Sequence, residues 1–394
     1  MRASTFLPLL FAIFLDMVGF GMAFPDVQLR AEAFGAPGWL IGSVLSSYFV
    51  TQFLVSPHWG RLSDRIGRKP VLTVCTALSA VSMVAYAFAE SLPMIFLSRV
   101  FAGFAAANVV VAQAYIADNT DELSRTKAMG QMSAAMLLGL IAGPAIGGFL
   151  AELGGNYLMG LCAAGASTLS FLWILVAVAH RPPSEIREPG KAPIFAFSLL
   201  KDVPELRRLF WIAAAGWFVV ACLEGTFGRL IKHNLNYGQF EFGIVFSYES
   251  LIGALVGLAL AWVSARLAKV SILRLGYILQ AIGLALMPLG RNLFELLLAG
   301  TLFSIGTGLA NPTLNAVGSL LTPATRQGEL FGVLQATRSI GFFVGPILGG
   351  LLFDLSPASP YWIAAIVAFI AAVVLRLSPA VSTQMESRPN SAAT

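Results

Sequence analysis

Five ionisable residues stand inside otherwise apolar stretches of this 394-residue chain: Asp16, Arg99, Glu224, Glu249 and Arg338. A charge at the centre of a bilayer costs at least about 2.5–3.5 kcal/mol on insertion scales, so such residues are expected to be interior, paired and functional. Removal from water disfavours the charged form of a carboxyl group, which suits such a group to exchange a proton near neutral pH. Asp16, near the middle of its stretch, either couples a proton or recognises a cation, or else it pairs with an arginine. Glu249 is similarly deep. Glu224 lies nearer an end, where a long side chain can reach the interface. Arg338 pairs with one of these three acids or belongs to a structural ion pair.

The apolar stretches must be the elements that position these groups. Only 45 residues are charged, 11% of the chain, against 57% apolar, whereas a soluble chain of this length carries roughly 100 charges. That excludes a soluble globule, and the same apolar content excludes disorder. Runs of about 20 apolar residues, enough for a helix to cross ~30 Å of hydrocarbon, fall near 5–25, 38–58, 70–89, 93–115, 128–151 and 157–179. A second set falls near 209–231, 240–264, 270–290, 293–316, 328–353 and 360–378. The expected fold is an all-α membrane protein of twelve transmembrane helices. Its N-terminal six-helix half spans 1–179 and its C-terminal half 209–378, with a tail at 379–394. Residues 180–208, with Pro182, Pro183, Pro189 and Pro193, form the linker. The first run is too long for a signal peptide, contains Asp16 and lacks a small-x-small cleavage site.

Charge sets the orientation. Of the 25 Lys and Arg, 19 fall on the side shared by the N-terminus, linker and C-terminus. Four (Arg30, Arg229, Lys232 and Arg291) fall opposite, and Arg99 and Arg338 lie inside spans. The positive-inside rule then makes both termini and the linker cytoplasmic. Of the 20 acids, seven fall outward and three, Asp16, Glu224 and Glu249, within spans. The basic residues are dispersed between apolar runs rather than gathered on one face, so nucleic acid is not an expected partner.

The halves echo one another. Gly139-x3-Gly143-Pro144-x2-Gly147-Gly148 in span five returns as Gly341-x3-Gly345-Pro346-x2-Gly349-Gly350 in span eleven, and Gly103 to Asn108 is matched by Gly306 to Asn311. Two homologous halves are the simplest explanation. Glycines at every fourth position share a helix face and allow close backbone approach, and Pro144 and Pro346 each remove a backbone hydrogen bond and permit a bend.

Between spans two and three the sequence reads Gly60-Arg61-Leu62-Ser63-Asp64-Arg65-Ile66-Gly67-Arg68-Lys69. Two glycines there permit a tight turn, and Asp64 can sit against the positive end of a helix. This run resembles the signature loop of the major facilitator superfamily, G-x3-D-R-x-G-R-[RK], with every fixed position filled. The resemblance implies that Asp64, with Gly60, Arg65, Gly67, Arg68 and the Asp118 that ends span four, latches one conformation of the two halves. The corresponding loop of the second half, Ser264 to Leu275, holds no acid. The glycine pattern of span five resembles the signature of superfamily antiporters, which implies export. Asp16-x2-Gly19-x-Gly21-x3-Pro25 in span one and Arg99-x3-Gly103 in span four resemble the twelve-helix drug:proton antiporters, nearest the tetracycline-efflux branch. From that branch the chain departs in span nine, where Arg274 to Gly290 holds no acid.

Arg99 occupies the span-four arginine position of that family, where the resemblance implies that it holds a neighbouring acid or water. Counted along one helix, Gln113 shares its stripe while Asn108 points the other way. Asn311-Pro312 is read either as a mid-membrane break in span ten that exposes carbonyls to a substrate or as a bend that serves packing. Phe20, Tyr48, Gln52, Phe227, Asn108, Gln113 and Asn311 are candidates for the substrate cavity, together with Phe104, Trp217 and Tyr248. Cys75, Cys162 and Cys222 lie in apolar runs as packing residues. No G-x4-G-K-[ST] loop is present, and His58, His180 and His233 are too dispersed for a metal site.

The expectation is a secondary transporter, not an enzyme, that exchanges an amphipathic small molecule for protons in a bacterial inner membrane. It is expected to act as a monomer and without a cofactor, driven by the proton gradient. A nutrient uniporter or symporter, and a non-transporting receptor, are the alternatives on the same fold.

Overall fold

In hydrocarbon an isolated apolar run satisfies its backbone polar groups by coiling into a helix. The computed structural model describes residues 6–120, 122–179, 198–323 and 326–375, and the regular elements among the described residues are helical. They are α1 (Leu7–Ala33), α2 (Gly38–Ile66), α3 (Arg68–Ala87), α4 (Leu92–Ala105), α5 (Asn108–Asp118), α6 (Glu122–Ala177), α7 (Ser198–Asp202), α8 (Pro204–Leu235), α9 (Gln239–Ser264), α10 (Lys269–Leu286), α11 (Leu293–Leu321), α12 (Gln327–Leu355) and α13 (Ser359–Val374).

Among the described residues, ten segments are long and apolar enough to cross a bilayer, α4 and α5 counting as one. The protein is an integral, multi-pass membrane protein. Helix α6 contains two runs joined at a kink, where Gly155 has φ +70°, and α13 is a shorter apolar helix, so the architecture accommodates the twelve passes read from the sequence. Large side chains such as Val176 (83% exposed) and Leu258 (80%) face outward, a surface that lipid rather than water suits.

Several helices outrun the spans read from composition, α1 and α2 the furthest at any one end. Helix α1 passes through Pro25 to Ala33, and α2 reaches Ile66. Hydropathy marks the part that needs hydrocarbon, whereas the helix continues into the interfacial layer. The linker lies outside the described residues as far as 197. Its remainder is helical, in α7 and the start of α8. The tail at 379–394 also lies outside the described residues.

The chain divides into two packed units. One contains Met1–Ala192 with Gly225–Ser250, and the other Pro193–Glu224 with Leu251–Thr394. The end of α8 and the start of α9 thus pack with the first half. The first unit's core gathers Leu9, Ile13, Leu72, Ile116, Met132 and Ile174. That of the second gathers Leu206, Leu209, Leu273, Tyr277, Leu314 and Leu330.

The glycine stripe of α6 forms the seam with α1. A methyl group on Gly139 would sit 2.6 Å from Met17 Cβ, one on Gly143 2.8 Å from Gly21 Cα, and one on Gly147 2.7 Å from Met22 Cα. Gly148 instead meets the start of α9, where a methyl group would lie 2.5 Å from the Gln239 carbonyl oxygen. Beside Pro144, the Ala145 amide donates to Ser247 Oγ of α9 at 3.1 Å. In the second unit, Gly341 and Gly345 bring α12 against Trp217, Phe218 and Ala221 of α8.

Candidate functional site

Asp16 lies in α1, 5% exposed, where α3 and α5 meet it. Ser79 Oγ donates to Asp16 Oδ1 at 2.8 Å, and the Asn108 side-chain amide donates to Oδ2. Both donors are neutral. Asn108 is positioned by an interruption of span four, since α4 ends at Ala105 and α5 begins at Asn108. Its Oδ1 accepts from the Val109 amide at 2.6 Å, and Gln52 Nε2 of α2 donates to the Ala106 carbonyl at 3.3 Å. The interruption therefore presents Asn108 to Asp16, and Gln52 meets a carbonyl that the break frees.

That interruption corrects two expectations. Arg99 (3% exposed) and Asn108 (1%) are both buried, while Gln113 is exposed. Counting along one helix failed because the break resets the rotation between Arg99 and Gln113. The break expected at Asn311-Pro312 is absent, as α11 runs through Pro312 without interruption. Asn108 is a hydrogen-bond partner of the acid.

Arg99 does not meet Asp16. Its guanidinium lies 4.3 Å from the Tyr86 ring centroid, and one nitrogen lies 3.8 Å from Met83 Sδ. Among the described residues its Nε has no hydrogen-bond partner. The Tyr86 hydroxyl donates to Asp26 Oδ2 at 2.5 Å. Asp26 is 2% exposed and Tyr86 wholly buried. Arg30 sits 5.1 Å from the same ring and donates to the Tyr86 carbonyl at 3.0 Å. Asp26 was missed because Pro25 reads as the end of span one. The legible signal was the i, i+4 spacing of Asp26 and Arg30, which suits one helix face.

Glu224 and Arg338 lie in the second unit, half-buried and within electrostatic reach of one another. Arg338 also stands 5.3 Å from the Trp217 ring and 5.5 Å from Phe342. Glu249 is buried at 7% exposure and belongs to the first unit.

The loop after α2 closes on one arginine. Arg68 reaches Asp64 at 2.5 Å, Asp118 at 2.8 Å and Ser63 Oγ at 2.6 Å. Lys69 donates to the Leu175 carbonyl at 2.9 Å. Gly67 makes the turn with φ +96°, a conformation suited to glycine. Gly60 lies inside α2 with open space around it and makes no turn, contrary to the reading of two turn glycines. Arg65 is exposed.

Of the cavity candidates, Phe20 and Tyr48 stack with centroids 5.0 Å apart, and both are half-buried, as are Gln52 and Asn311. Phe227 is wholly buried, edge-on to Phe242 at 5.8 Å, which removes it from a cavity wall in this arrangement.

The family model described as Major Facilitator Superfamily matches residues 9–284 and 225–392. The chain is 29% identical to Multidrug resistance protein 1 of Bacillus subtilis (strain 168) over 365 residues, 91% of this chain and 92% of that protein. It is 28% identical to the Tetracycline resistance protein, class B, of Escherichia coli over 379 residues, 92% and 91% of the two. Among solved structures, the human organic anion transporter MFSD10 (TETRAN) shares the fold at TM-score 0.68 and 21% identity, over 95% of this chain and 100% of that one.

Proposed function

Because this chain belongs to the Major Facilitator Superfamily, and is thus a transporter rather than an enzyme, we propose that it exports an amphipathic small molecule in exchange for protons by alternating access. Asp16 carries the proton. The observation that supports this role is its pair of neutral donors, Ser79 and Asn108: a carboxylate with such partners changes protonation state without abandoning a buried cation. The relatives named for multidrug and tetracycline resistance support a drug as cargo. Gly139, Gly143 and Gly147 form a close seam against α1, and the export direction rests on the resemblance of that stripe to the antiporter pattern.

Arg68, holding Asp64 and Asp118, latches one conformation, and Glu224 with Arg338 forms a second charged site. The membrane is the bacterial inner membrane, with both termini cytoplasmic. The protein works as a monomer, with the proton gradient as its only energy source. Inward proton movement yields ~2.3 kcal/mol per charge per 100 mV and about 1.4 kcal/mol per pH unit. Together these support a substrate gradient of roughly a hundredfold or more at one-to-one electrogenic exchange.

The test uses proteoliposomes with an imposed pH gradient and a panel of cationic drugs, tetracyclines and sugars. Drug movement opposite to the proton flux, abolished by a protonophore, is expected. Transport indifferent to the gradient, or in the same direction as protons, contradicts antiport.

A further inference from the structure

The Asp26 cluster lies apart from the Asp16 site. The Tyr86 hydroxyl meets Asp26 Oδ2, and Gln239 Nε2, at the first residue of α9, donates to Asp26 Oδ1. The same Gln239 nitrogen donates to Asn156 Oδ1 at 3.0 Å, and the Gln239 carbonyl is packed against Gly148. The charged and titratable groups facing Asp26 are Arg30 from its own helix, Tyr86 from α3 and Arg99 from α4. From α9 it meets only the neutral amide of Gln239.

Resting on the antiport reading, we propose that Asp26 is a second proton-binding carboxylate, whose ionised form fastens the start of α9 through Gln239 and whose protonation releases it. Two donors converge on Asp26, an arrangement that matches an acceptor-only carboxylate. A proton taken from water onto Asp26 turns these charge-assisted bonds into neutral ones of about half the strength. It also removes the negative charge facing Arg30 and Arg99. Arg99 Nε, buried and without a hydrogen-bond partner among the described residues, leaves that charge as compensation for its guanidinium. By linkage, fastening α9 favours loss of the Asp26 proton as much as the proton disfavours fastening.

A second anchor holds the same segment. Glu32 pairs with Arg229 at 3.1 Å and Lys232 at 2.9 Å, so the test must separate the two carboxylates.

Hydrogen–deuterium exchange of the full chain in nanodiscs, read on peptides covering 236–246 without substrate or gradient, makes that separation. After correction for intrinsic rates, exchange in the unsubstituted protein should rise at least about fivefold between pH 8 and pH 5, the low end of ordinary coupling. Asp26→Asn should exchange fast at both pH values, and so should Gln239→Ala, which decides the matter if Asp26→Asn does not fold. Glu32→Gln should keep the pH response. A flat profile in the unsubstituted protein, an unchanged profile in Asp26→Asn, or loss of the response in Glu32→Gln would overturn the proposal. Because no transport is measured, these failures leave antiport standing, and a failed transport assay leaves the exchange result standing.

Discussion

Ser79 on α3 donates its hydroxyl proton to Asp16 on α1 across 2.8 Å, deep inside the first unit. With Asn108 of α5 on the other oxygen, the acid of α1 is held from two neighbouring helices at once. Asn108→Ala would leave one buried carboxylate oxygen without its donor, at a cost of about 1–3 kcal/mol. Thermal unfolding in detergent should show a lowered midpoint, and Ser79→Ala combined with Asn108→Ala should lower it further. An unchanged midpoint in both would show that these bonds do not hold the site.

The seam between α1 and α6 makes a sharp prediction about glycine. Gly143→Val would force a side chain against α1, where even a Cβ on Gly143 would lie 2.8 Å from Gly21 Cα, with a destabilisation of about 1–3 kcal/mol from overpacking and loss of transport. Gly60→Ala is the contrast. Open space surrounds Gly60 inside α2, so alanine should keep or raise stability by up to about 1 kcal/mol. Equal damage from both would contradict the packing described.

The loop between α2 and α3 depends on two adjacent residues for different reasons. Gly67→Ala places a Cβ at φ +96° and should cost about 1–3 kcal/mol of backbone strain. Arg68→Lys keeps the charge but loses the planar fork that serves Asp64 and Asp118 together. Asp64 is largely exposed, so the stability loss should stay near ~1 kcal/mol, and the larger effect should fall on transport rate. Urea or thermal unfolding beside initial-rate transport separates the two.

Glu224 and Arg338 should behave as one unit. Glu224→Gln and Arg338→Gln, measured singly and together, should give a coupling energy of about 0.5–3 kcal/mol in a stability cycle. Additive effects would mean that their electrostatic approach carries no energetic link.

Much of the fold was legible because lipid leaves a chain few options: apolar length marked the helices, and the repeated glycines marked a close helix seam, although only the structure identifies α1 as its partner. What remained hidden depended on three-dimensional rotation. Span four breaks at Ala106-Ala107 without a proline to announce it, while α11 runs through Asn311-Pro312 despite its proline. From that one misjudged interruption came the misplacement of Asn108 and Gln113. Asp26 escaped notice because a proline at position 25 looks like an ending, yet α1 absorbs it and continues for two more turns. Arg99 was correctly read as interior, but its neighbour is the face of Tyr86, a contact that no spacing rule within one helix can reveal.

Whether Asp16 carries the coupled proton is tested most directly by substrate-induced proton release. Purified protein in weakly buffered detergent solution or proteoliposomes, given a transported drug, should acidify the medium by about one proton per protein if exchange is one-to-one. Asp16→Asn, which keeps the shape and removes the ionisable group, should bind the drug and release none. Full proton release from folded Asp16→Asn would contradict the assignment.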